Sequence, residues 1–154
     1  MYERIICPVD GSATSNRGVH EAINLAKSQN AQVRFLHVID TYVPIIDGVG
    51  SLTPIDMNEI LQENAQKVIA QAKSIAEKSG VETSSTVIET LGGRPAKIIV
   101  KQAKEWSADL IVMGTHGLRG LNRMVMGSDA ENVLRASTVP VLLVKAVDVA
   151  EEDS

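Results

Sequence analysis

The residues with the most chemical potential lie in Gly114-Thr115-His116-Gly117-Leu118-Arg119-Gly120-Leu121-Asn122-Arg123-Met124-Val125-Met126-Gly127-Ser128. The segment follows the apolar run Asp109-Leu110-Ile111-Val112-Met113 and leads into a helix start. Glycine lets a backbone come close to a ligand or take positive φ. A helix N-terminus behind such a loop offers free N–H groups and a partial positive charge, which suits phosphate. Arg119 and Arg123 add mobile positive charge, and His116 could touch phosphate from within the loop. Ser128 is the expected N-cap, with Glu131 three residues on to complete a capping box. A side chain at Gly117 or Gly127 is expected to occupy ligand space. By chemistry alone the segment is a phosphate cradle or a plain strand-to-helix connection with glycine turns, because glycine-rich loops are common.

A second stretch, Cys7-Pro8-Val9-Asp10-Gly11-Ser12, closes a short apolar strand, Arg4–Val9, and enters a turn. Pro8 is tolerable at a strand terminus but not in mid-ladder. Asp10 alone could be a capping or turn aspartate. Cys7 lies within the apolar run and reads as a buried small hydrophobe, not a nucleophile. A third stretch, Leu36-His37-Val38-Ile39-Asp40, ends the next strand. His37 has no partner motif, and such strand histidines are more often structural than ligands.

The spacing Gly114-x2-Gly117-x9-Gly127-Ser128 resembles the nucleotide loop of the ATP-binding branch of the universal stress protein family. The stretches around Asp10 and Val38, Gly93-Arg94-Pro95-Ala96, and Ala108 to Gly114 resemble that family too, so the likeness covers residues 1–146. It implies a loop that wraps the ribose and phosphates of ATP, with Gly127-Ser128 on phosphate oxygens. It implies Asp10 beside the adenosine, the Pro8-Val9 backbone along the base, and the Val38 backbone on adenine. The candidate nucleotide set is Pro8, Val9, Asp10, Val38, Met113, Gly114, His116, Gly117, Arg119, Arg123, Gly127, Ser128 and Asp129. Asp10 could also help hold a Mg2+ ion carried with the triphosphate.

These residues need a scaffold. Helices are predicted over Ser15–Ser28, from Pro54 behind an N-cap at Thr53, from Arg94-Pro95, and over Ser128–Ala136. Strands are predicted over Gln32–Ile39, Glu82–Glu89 and Val139–Val144, besides those before Asp10 and Gly114. Residues 41–54 form a long loop that could cover a ligand. Trp106 reads as a helix-end packing residue. Five alternating strands and helices imply an α/β fold: a parallel sheet with helices on both faces. Patterning does not give strand order. The resemblance implies 3-2-1-4-5, a Rossmann-like sheet of the adenine nucleotide alpha hydrolase type. Strands one and four then meet where the winding reverses, the place where such sheets bind ligands.

Composition bounds the rest. The 154 residues fit one domain, residues 1–146, with an acidic tail over 147–154 that is expected to be disordered. A 44% hydrophobic content with 3% aromatics requires an aliphatic core. A net charge of −4 argues against a general nucleic-acid surface. No apolar run is long enough for a membrane span, no signal-peptide layout is present, and there is one cysteine, which together favour the cytoplasm. The apolar strand Val139–Val144 would lie at a sheet edge, and a homodimer paired through it would cover that edge. No P-loop, zinc spacing or nucleophile elbow occurs. No catalytic residue is therefore assigned, and ATP hydrolysis is expected to be slow at most. The leading expectation is a nucleotide-dependent stress-response module that signals to a protein partner. A slow ATP hydrolase or phosphotransferase, and a nucleotide-independent chaperone or scaffold, are the alternatives.

Overall fold

The computed structural model describes residues 1–41, 54–116 and 126–145. The elements run β1 (Arg4–Pro8), α1 (Ala13–Gln29), β2 (Gln32–Asp40), α2 (Pro54–Glu77), β3 (Thr83–Thr90), α3 (Pro95–Glu105), β4 (Leu110–Gly114), α4 (Ser128–Ala136) and β5 (Val141–Val144). The long loop after β2 and the expected cap Thr53 lie outside the described residues.

Local chemistry sets most boundaries. Ser12 caps α1 by accepting the Ser15 N–H at 3.1 Å, so the helix starts two residues earlier than expected. Asn30 ends it in the left-handed region, at φ 56°. Pro95 opens α3, where its missing N–H costs no helical bond. β5 begins at Val141, two residues later than expected. Pro140 has no N–H to give the ladder, and only its carbonyl takes part, accepting the Ile111 N–H at 3.0 Å.

The five strands form one parallel sheet in the order β3-β2-β1-β4-β5. Its central strands are apolar because both faces are covered. Ile5, Cys7, Val33, Phe35, Leu110 and Val112 pack with α1 and α2 on one face. Ile6, Leu36, Ile111 and Met113 pack with α3 and α4 on the other. The alternation of Ile5 with Ile6, and of Phe35 with Leu36, is the two-residue period of a strand feeding two cores. Trp106, at the C-cap of α3, is buried, and the guanidinium carbons of Arg4 and Arg34 lie 4.5 and 4.6 Å from its ring centroid. The helix-end packing role expected for Trp106 is thus made through cation–π contacts. Desolvation, then the neighbouring charge of Arg4, lowers the pKa of Arg34.

Candidate functional site

β1 and β4 are neighbours, yet each leads away to a helix on a different face of the sheet. Their C-terminal ends therefore diverge and open a crevice. A cavity of about 560 Å³ lies there. That volume is typical of a small-molecule site. Its apolar walls come from Pro8, Val9, Leu36, Val38, Pro95, Ile99 and Met113. Its polar wall comes from Asp10, Ser15, Asp40, Thr115, His116, Ser128 and Asp129.

The Asp10 arm is built by its own turn. Its Oδ1 accepts the Ser12 N–H at 2.9 Å, and its N–H donates to Ser15 Oγ at 3.0 Å. Gly11 takes φ +83°, which lets the chain double back into α1. Oδ2 of Asp10 makes no hydrogen bond among the described residues. The turn role considered for Asp10 is therefore real, and it uses one of the two carboxylate oxygens.

The α4 side departs from expectation. Gly127, not Ser128, is the N-cap, and no side chain caps the helix. Ser128 is the first helical residue and is exposed. Glu131 does not reach back in a capping box. Its carboxylate accepts from Arg135 one turn ahead at 2.7 Å. The loop enters by a backbone bond instead, with Gly127 N–H donating to the Thr115 carbonyl at 2.7 Å. Among the described residues, the early N–H groups of α4 have no side-chain partners at the cavity wall. Beside them, the buried hydroxyl of Thr115 has no hydrogen-bond partner among the described residues. Both features are what an anionic ligand would satisfy.

The glycines have packing reasons. A Cβ on Gly127 would stand 2.9 Å from the Thr115 carbonyl oxygen, so its neighbour is the chain itself and not ligand space. A Cβ on Gly114 would meet Thr14 Cγ2 at 2.7 Å and the Thr14 carbonyl at 3.0 Å. Across the cavity, partial burial and then the negative charge of Asp10 raise the pKa of Asp129. Among the described residues, no three His, Cys, Asp or Glu side chains gather to hold a metal. Cys7, fully buried in β1, has its thiol pushed up to about 12 by desolvation, which removes it as a nucleophile.

Pro8, Val9, Asp10, Val38, Met113, Gly114, His116, Gly127, Ser128 and Asp129 all line this one cavity. Gly117, Arg119 and Arg123 lie outside the described residues. The profile of the universal stress protein family matches residues 1–145. The chain belongs to that family. A universal stress protein of Methanocaldococcus jannaschii is 39% identical over 146 residues, which cover 94% of this chain and 83% of that one. Among solved structures, the protein MJ0577 superposes with a TM-score of 0.78 at 27% identity, covering 96% of this chain and 99% of its own. Two further family members are solved with adenine nucleotides. One, in complex with cAMP, has a TM-score of 0.69 at 26% identity, covering 95% of this chain and 98% of that one. The other, from Archaeoglobus fulgidus in complex with dAMP, has 0.65 at 26%, covering 94% and 98%.

The family fold also brings in residues that sequence reading passed over. Ser15, Leu36, Asp40, Pro95, Ile99 and Thr115 line the cavity. Thr115 sits between Gly114 and His116 and could have been found by adjacency. Asp40, whose Oδ1 accepts the Gly92 N–H at 3.2 Å, needed the β2–β3 register to be found.

Proposed function

We propose that this universal stress protein binds ATP in the crevice between β1 and β4 and acts as a nucleotide-dependent regulatory module of a stress response in the cytoplasm. The observation that carries the reading is the polar wall: among the described residues, the α4 N-terminus has no side-chain cap and the Thr115 hydroxyl beside it has no hydrogen-bond partner. Phosphate oxygens are the ligand chemistry that would satisfy both. The Ser128 hydroxyl and His116 stand on the same wall. The apolar floor of Pro8, Val9, Val38 and Met113 suits a purine base, and the uncommitted Asp10 Oδ2 suits ribose hydroxyls. Gly117, Arg119 and Arg123 belong to the same proposed phosphate-binding set. The family members solved with cAMP and dAMP support an adenine nucleotide as the ligand class.

Two carboxylates, Asp10 and Asp129, border the same cavity as these anion donors. A triphosphate there needs added positive charge. A Mg2+ ion held mainly by phosphate oxygens, with Asp10 in reach, would supply it. Slow hydrolysis is the second reading, favoured by the raised Asp129 carboxyl, which is better suited to accept a proton than an ordinary one.

Calorimetric titration with magnesium–ATP, run beside an assay for ADP, tests both. Saturable heat without ADP supports the binding module. ADP release that Asp10→Ala abolishes while magnesium–ATP still binds supports the hydrolase. Protein freed of co-purified nucleotide that gives no heat would overturn the proposal.

A further inference from the structure

The peptide unit joining Val9 to Asp10 is held at both ends by buried side chains. Its carbonyl, Val9 O, lies 2.7 Å from Nδ1 of His37. A carbonyl can only accept, so Nδ1 is the donor. Its N–H, on Asp10, donates to Ser15 Oγ at 3.0 Å. His37 and Ser15 are 8% and 5% exposed, so both bonds are largely shielded from bulk water. The sheet ladder has already ended at this point. The Val9 N–H donates to the Leu36 carbonyl at 2.8 Å, and among the described residues no backbone group takes the Val9 carbonyl. Without the two side chains, this peptide plane could rotate about its flanking bonds and swing Asp10 with it.

We infer that His37 is a positioning residue for the candidate site: with Ser15 it clamps the Val9–Asp10 peptide and thereby aims the Asp10 carboxylate into the cavity. The role rests on the nucleotide reading above. It also explains why a histidine stands in an aliphatic strand. Phe35 and Val33, on the same face of β2, are fully buried apolar residues, and an apolar residue at 37 would leave the Val9 carbonyl without its partner.

The test compares His37→Asn with His37→Gln. The Asn amide nitrogen can stand where Nδ1 stands, whereas the Gln amide extends to the position of the other ring nitrogen. Magnesium–ATP affinity should stay within about threefold of wild type in His37→Asn and fall about fivefold or more in His37→Gln, the scale of one lost hydrogen bond. In an Asp10→Ala background the difference between the two should vanish, because the clamp then has no carboxylate to aim. In wild type, nitrogen-15 NMR should show Nδ1 of His37 carrying a hydrogen-bonded proton. Equal affinity of the two variants would overturn the role, as would a Gln penalty that persists without Asp10, or an unprotonated Nδ1. Wild-type protein that binds no magnesium–ATP would instead overturn the nucleotide reading, and this role with it.

Discussion

At Ser128 one residue of helix phase separates a cap from a ligand contact. A capping serine would stabilise the free protein, and its loss would cost about 1 kcal/mol. Here the cap is Gly127 and the Ser128 hydroxyl is exposed. Ser128→Ala should therefore leave the melting temperature of the ligand-free protein nearly unchanged while weakening magnesium–ATP by about threefold to tenfold. Melting curves and calorimetry on the same samples check both halves. Asp129 makes a prediction about pH. Burial and Asp10 raise its pKa in the folded state, so the folded protein binds this proton more tightly than the unfolded chain does. Stability from this group is therefore greatest at low pH and declines as pH rises from the ordinary carboxylate value through the raised one. Asp129→Asn removes the titration. The stability of wild type relative to Asp129→Asn should fall as pH rises above about 4, the ordinary carboxylate value, as read by denaturant melts at a series of pH values. A constant difference would show that the carboxyl is not shifted.

At the scale of elements, the site exists because α1 presses against the end of β4. Gly18 of α1 approaches the Gly114 backbone, and Thr14 sits where a Gly114 side chain would go. Among the described residues, Gly114 is not one of the glycines at positive φ. Close approach is therefore its reason for being glycine. Gly114→Ala should strain this contact and destabilise the protein by about 1–3 kcal/mol, measured by urea denaturation. Gly114 itself lines the cavity, so nucleotide affinity should fall as well. That position on the cavity is what its place in the glycine spacing suggests, and the packed elements add that its missing side chain makes room for a helix. Gly127 teaches the same at the loop's other end, where the Thr115 carbonyl is the neighbour. A glycine pattern signals a near approach, but only packing tells which partner approaches.

At the scale of the molecule, β5 is an edge strand with no neighbour on its outer side among the described residues. Thr115 donates to the Val144 carbonyl and Ile111 to the Pro140 carbonyl, so the even-numbered residues of this strand turn their polar groups toward β4. Those of Val141 and Leu143 then face outward, available to a second copy. Leu142 and, on α4, Leu134 are 40% and 48% exposed. Because Val141 and Leu143 pack against the α3–α4 core, changing them would damage the fold. Leu142→Lys is the cleaner probe. If the protein is a dimer joined along β5, light scattering should show this variant shifted to monomer with its melting curve little changed. A dimer that persists would move the interface elsewhere. Among the described residues no helix is long and apolar enough to cross a membrane. The sequence by itself determined the alternation of strand and helix, the two-sided burial of the sheet and the two chain segments that form the crevice. Those are written in short-range periods and in fixed glycine spacings. The strand order reached it through family likeness, since hydrophobic period carries no information about which strand lies beside which. Only the tertiary structure decided that Gly127 caps α4, that the Thr115 hydroxyl finds no partner among the described residues and that His37 holds the Val9 carbonyl. Each depends on where one backbone group points after distant segments have packed, and that direction is fixed by contacts between residues far apart in the chain.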